Sequence, residues 1–179
     1  MSAMSTIKYS VILILLWTCP ALAQDNNGPR LGKLLSQETI QQRNFTVFPN
    51  GQGLPLGQGT VQAGRKVYTT RCLYCHGTEG LGDSAEELAG ALHRLTDDPP
   101  DKTIGTYWPY ATTLFDFIRR SMPMDSPGSL TTQNIYDVTA YLLFLNEIID
   151  YEQTIDNKTL ANIKMPNRNG FIDLYSTKK

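Results

Sequence analysis

The chain is poor in cysteine and histidine. Its 179 residues include three cysteines, Cys19, Cys72 and Cys75, and two histidines, His76 and His93. That scarcity excludes a disulfide framework and leaves barely enough ligands for one zinc ion. An excess of either charge is also missing, with 16 basic against 17 acidic residues and a net charge of −1. Without clustered Lys and Arg, neither nucleic acid nor an anionic membrane surface is an expected partner. Internal repeats and strand-like alternation are absent as well. No apolar run approaches the roughly 20 residues needed to cross a bilayer, so stable membrane insertion is not expected.

The N-terminus carries Lys8, an apolar run from Val11 to Trp17, and Ala21-Leu22-Ala23 before Gln24. These are the n-region, h-region and cleavage site of a secretory signal peptide, expected over residues 1–23 and cut near Ala23. Cys19, between Thr18 and Pro20, does not fit a lipoprotein pattern. Cleavage would leave 156 residues, enough for one domain with extensions, and Cys72 and Cys75 as the remaining cysteines. The expected location is the periplasm, an oxidising compartment.

Residues 24–59 are rich in Gln, Asn, Gly and Pro and read as an N-terminal extension with a short helix near residues 36–43. From residue 60 the pattern turns helical. Val61, Gly64, Val67 and Tyr68 share one face of a helix ending at Cys72, and the glycine in that face points to a close neighbour. Ser84-Ala85-Glu86-Glu87 has the form of a capping box, predicting a short helix toward Leu95. A further helix is expected from Ala111 to Arg120, with Arg119 and Arg120 at the negative end of its dipole. Thr131 is placed to cap the clearest helix, whose stripe of Ile135, Val138, Tyr141, Leu142 and Leu145 continues to about Ile149. The domain is therefore bounded at 60–150, and residues 151–179 read as a polar, irregular tail.

Cys72-Leu73-Tyr74-Cys75-His76 has the C-x-x-C-H form. On a helix the two sulfurs lie about one turn apart, matching the two vinyl groups on one edge of a haem, and the next residue offers an imidazole to its iron. Three other readings compete. A zinc site would have to draw on Cys72, Cys75, His76 and His93, and adjacent Cys75 and His76 are poorly placed to share one tetrahedral ion. A thioredoxin-like redox pair lacks its strand-helix-strand context, and a plain disulfide leaves His76 without a role. Covalent haem attachment is favoured, one haem c per chain.

Beyond His76 the iron needs a sixth ligand or an open site. Met122-Pro123-Met124 lies between two predicted helices, off any apolar stripe, so these methionines are weak candidates for core filler. Met122 is preferred because Pro123 stiffens the chain beside it; Met124 and His93 remain alternatives. Asp125 follows closely and is expected either to bond a neighbouring loop or to stay solvated. Trp108 and Tyr110 read as core aromatics or as a haem wall able to donate to a propionate.

These residues resemble the monohaem class I cytochrome c family. The resemblance rests on Gly64-Arg65-Lys66-Val67-Tyr68 before Cys72-x-x-Cys75-His76-Gly77, then Met122-Pro123, then the helix from Thr131 through Ala140-Tyr141. It implies an all-α fold of orthogonal helices around a covalently bound haem, with irregular N- and C-terminal extensions. In such proteins the first and last helices cross, which would set Gly64 and Tyr68 against Tyr141 or Leu142. The exposed haem edge near the thioethers is where electrons would enter and leave.

A narrower likeness spans more of the chain. Gly53-Leu54-Pro55-x-Gly57-x-Gly59, Ile104-Gly105-x-Tyr107-Trp108-Pro109-Tyr110, Met122-Pro123-x-x-x-Pro127-Gly128 and Met165-Pro166-Asn167-Arg168-x-Gly170-Phe171 are similar to the cytochrome subunits of bacterial sulfite dehydrogenases and of the Sox sulfur dehydrogenase. Met124 departs from the aromatic residue associated with its place there. The likeness implies a molybdopterin-containing dehydrogenase as electron donor and a cytochrome or oxidase as downstream acceptor, with the chain itself no enzyme. The rival functions are a general soluble carrier to a terminal oxidase, a haem enzyme with an open iron site, and a structural subunit in which haem is mainly a folding staple.

Overall fold

The computed structural model describes residues 31–175; the expected signal peptide and Cys19 lie outside them. The chain divides into two units, one ending at Arg43 and one beginning at Asn44. In the first, helix α1 spans Gln37–Arg43. Ser36 starts it, its hydroxyl accepting the Thr39 amide at 3.2 Å, as an N-cap should.

The second unit is built on two helices, α2 (Val61–Arg71) and α6 (Thr132–Leu145). Thr60 and Thr131 cap them, accepting the amides of Ala63 at 3.2 Å and Asn134 at 3.1 Å. Between them come the single turn α3 (Leu73–His76), a 3-10 turn at Thr78–Gly80, α4 (Ile104–Tyr107) and α5 (Ala111–Ser121). Val61, Tyr68, Phe115, Tyr136, Val138 and Leu143 are almost fully buried where α2, α5 and α6 meet.

The contact between α2 and α6 explains the glycine in the apolar face of α2. A Cβ built on Gly64 would run into the carbonyl of Asp137 and lie 2.7 Å from the Cβ of Tyr141. Tyr68, one turn on, stacks at a tilt on Tyr141 with centroids 5.3 Å apart, so the expected crossing is present. Asp137 is only 5% exposed. Its carboxylate is satisfied across the junction, accepting the Thr60 amide and the Gln133 side-chain amide, both at 3.0 Å, as a buried charge requires.

Three expectations need correction. No helix forms between residues 84 and 95. Its amides go elsewhere: Ala85 donates to Cys75 O at 2.8 Å, Leu88 and Ala89 both donate to Gly80 O, and Leu92 and His93 donate to the Asp101 carboxylate. Helix α6 stops at Leu145 instead of near Ile149, because Glu147 turns left-handed at φ 56° and the Asn146 side chain folds back onto Leu142 O at 2.9 Å. The tail, finally, is not uniformly polar and irregular. Strand β2 (Ile155–Asp156) pairs antiparallel with β1 (Gln58–Gly59), Gln58 facing Asp156 and Gly59 facing Ile155. After β2, a 3-10 turn at Leu160–Asn162 follows, and Ile155, Leu160, Ile163 and Met165 are all buried in the main core.

The segment before β1 is also held. Val47 is buried and its amide donates to Asp116 of α5 at 2.9 Å. Arg119 and Arg120 both lie over the Phe45 ring, at 5.3 and 4.5 Å, so these arginines tie down residues 45–47 besides facing the helix dipole.

Substituting Gly64→Ala forces α2 away from α6. The expected cost is about 1–3 kcal/mol, the usual range for overpacking a tight contact. A fall in the urea midpoint at unchanged m-value checks it.

Candidate functional site

Cys72 closes α2, its amide bonded to Tyr68 O at 2.9 Å, and α3 carries Leu73, Tyr74, Cys75 and His76. The helical path so continues through the whole motif and spaces Cys72 and Cys75 by nearly one turn. The two are free thiols. Tyr74, between them, is 88% exposed, which puts the outer side of the motif in solvent.

His76 is half-buried, and its Nδ1 lies 3.0 Å from the backbone oxygen of Glu86. A carbonyl only accepts, so Nδ1 carries the proton. Nε2 has no protein partner among the described residues, and it is the nitrogen whose lone pair a neutral ring with this tautomer offers to a metal. The Glu86 carbonyl is brought there by the non-helical loop after Gly80, which returns to the motif through Ala85 N to Cys75 O and Gly82 N to His76 O at 2.9 Å. The loss of the predicted helix is what puts that acceptor in place, and no residue type at position 86 signals it.

Tyr68 supports the same turn from below. Its hydroxyl donates to Gly77 O at 2.8 Å, and burial pushes the phenol up to about 12.

The other candidates fall into different settings. Met122 caps the C-terminus of α5 and is half-buried, packed on the same core as Cys72, Leu73, Leu88 and Trp108. Met124 is 78% exposed. Met165 is buried core. His93 is half-exposed, its Nδ1 at 3.2 Å from Asp101, and Asp125 is exposed. Trp108 meets Phe117 edge-on at 5.5 Å, while Tyr110 lies under the Arg168 guanidinium at 4.3 Å. No group of three or more His, Cys, Asp or Glu side chains among the described residues is placed to hold a metal ion, which leaves the zinc reading without its ligands.

Two cysteines about one turn apart and an imidazole with Nδ1 committed are a donor set that suits a covalently held haem, and Leu73, Leu88, Trp108 and Met122 are half-buried apolar residues packed on the same core. The fold and the site thus define a helical haem protein of the electron-transfer type. Residues 61–146 match the family model for cytochrome c. Among solved structures the chain is similar to the sulfane dehydrogenase SoxCD from Paracoccus pantotrophus, with a TM-score of 0.75, 36% identity, and coverage of 85% of this chain and 76% of that one. The chain belongs to the cytochrome c family, and its cofactor is covalently bound haem c.

Two curated relatives are thiosulfate dehydrogenases. That of Psychrobacter arcticus is 26% identical over 129 residues, covering 69% of this chain and 39% of the relative. That of Stutzerimonas stutzeri is 28% identical over 107 residues, covering 54% and 34%. The chain therefore spans less than half the length of these curated relatives. Among the described residues, no helix is long and apolar enough to cross a membrane.

The raised phenol of Tyr68 has a pH consequence. A tyrosine that ionises near 10 when unfolded and near 12 when folded favours the folded state fully below pH 10, and that contribution is lost as pH rises toward 12. Tyr136, likewise pushed up to about 12 by burial, adds a second such slope. Unfolding free energy measured from pH 9 to 12 should decline, and Tyr68→Phe should make the decline shallower while costing about 1 kcal/mol at neutral pH for the lost hydrogen bond.

Proposed function

We propose that Cys72 and Cys75 hold the haem through thioethers, that His76 and Met122 are its axial ligands, and that the chain is a periplasmic electron-transfer subunit rather than an enzyme in its own right. Its donor is a molybdopterin-containing sulfite or sulfur dehydrogenase, and its acceptor a downstream cytochrome or oxidase. The observation that carries the ligand assignment is the His76 Nδ1 bond to Glu86 O, which commits one ring nitrogen and leaves the opposite one for the iron. Burial favours Met122 as the second ligand, because Met124 points into solvent and Met165 is spent in the core. The similarity to SoxCD and to thiosulfate dehydrogenases supports a sulfur-oxidising donor.

Bound haem supplies reversible one-electron chemistry. The residues of the chain do the rest. His76, oriented by Glu86 O, and neutral Met122 together favour ferrous iron more than two imidazoles would. Both belong to rigid helix ends, so little has to move when the charge changes. Tyr74 and the outer side of the motif are exposed where a partner can approach. The expected signal peptide, removed near Ala23, would deliver the chain to the periplasm.

The ferric protein is expected to be low-spin with a weak near-infrared sulfur-to-iron band. Met122→Ala should abolish that band and lower the reduction potential, and Met124→Ala should change neither. A high-spin wild type would overturn the ligand assignment. For the partner, stopped-flow mixing with a purified molybdenum sulfur dehydrogenase and its substrate should reduce the protein within turnover time; failure to do so returns the chain to a general carrier.

A further inference from the structure

We propose that Asn146 is a positioning residue for His76, holding in place the loop whose Glu86 carbonyl fixes the imidazole; this rests on His76 being an iron ligand, as set out above. Asn146 lies at the end of α6, far from the motif in sequence. Its side-chain amide donates to Leu88 O at 3.0 Å and to Leu142 O at 2.9 Å, and its Oδ1 accepts the Gly105 amide at 2.9 Å. Both donors and the acceptor are thus used.

Leu88 is two residues beyond Glu86. Its amide donates to Gly80 O at 2.7 Å, and its carbonyl takes a second donor, the Ile104 amide, at 3.1 Å. Upstream, Ala85 is tied to Cys75 O at 2.8 Å. Glu86 therefore lies between Ala85, tied to the motif, and Leu88, which Gly80 O, the Ile104 amide and the Asn146 side chain hold together. Asn146 is the one side chain among these restraints, and it sets where the Leu88 carbonyl sits. The fit at Asn146 is tight: a Cβ on Gly105 would lie 2.8 Å from its Oδ1.

A hydrogen bond from the far nitrogen of a ligating histidine orients the ring and raises its basicity, which favours the more highly charged metal state. Loosening the Asn146 anchor should weaken that bond and favour ferrous iron. Asn146→Asp keeps the acceptor for Gly105 but sets a carboxylate against two carbonyls. Gly105→Ala presses on the same amide from the other side and serves as a second variant should the first fold poorly.

The test uses the holoprotein. For both variants we expect the ferrous-to-ferric ratio at fixed ambient potential to rise by about threefold or more, and His76 Nδ1–H exchange, followed by NMR in the ferrous state, to quicken by roughly tenfold. Gln133→Ala, which removes the bonds to Gln58 O and to the Asp137 carboxylate at the opposite end of the helix, should destabilise the fold and move neither readout. Folded, low-spin Asn146→Asp and Gly105→Ala proteins with wild-type ratio and exchange would overturn the proposal. A low-spin spectrum that survives His76→Ala would instead overturn the ligand assignment beneath it.

Discussion

The structure depends on the contact of α2 with α6 at Gly64. With no side chain on that glycine, the backbone of α2 reaches the Asp137 carbonyl, and the same residue turns its carboxylate to the Thr60 amide at the start of α2. One residue of α6 thereby packs against the body of one helix and bonds to the start of it. Since α2 runs directly into the cysteine motif, the placement of Cys72, Cys75 and His76 follows from how α2 is seated. The candidate attachment motif is thus seated by a junction that contains none of its own residues.

Much of this was legible in the sequence. The two framework helices announce themselves through threonine caps and apolar stripes, and Gly64 costs enough in a helix to demand a reason, which the structure supplies. Cys72, Cys75 and His76 are marked as the candidate attachment motif by their spacing. In the sequence, Pro123 is the one feature that distinguishes Met122; its difference in burial from Met124 leaves no trace there, because neighbouring loop residues share a sequence context and not an environment.

What escaped was set by distant partners. Ser84 to Glu87 has the local form of a helix start, yet the amides that would build the helix are captured by Cys75 O, Gly80 O and Asp101. Local propensity is a weak prior against such bonds. The tail failed for a related reason: Ile155, Leu160, Ile163 and Met165 follow no helical or strand period, so their common burial emerges only when the chain folds back. Helix α4 is a single turn opened by Thr103, whose hydroxyl takes the Thr106 amide, too short to leave a periodic signature.

The return of residues 155–165 to the core redraws the smallest self-sufficient piece of this protein. A fragment trimmed to residues 61–146 would keep every residue of the attachment motif and still discard six buried apolar side chains, Val47, Ile149, Ile155, Leu160, Ile163 and Met165, together with both strands of the small sheet. Burying each such side chain is worth about 1.5–3 kcal/mol, and a whole domain of this size is commonly stable by only 5–15 kcal/mol. The motif that binds the cofactor and the chain needed to shelter it are therefore different lengths of polypeptide.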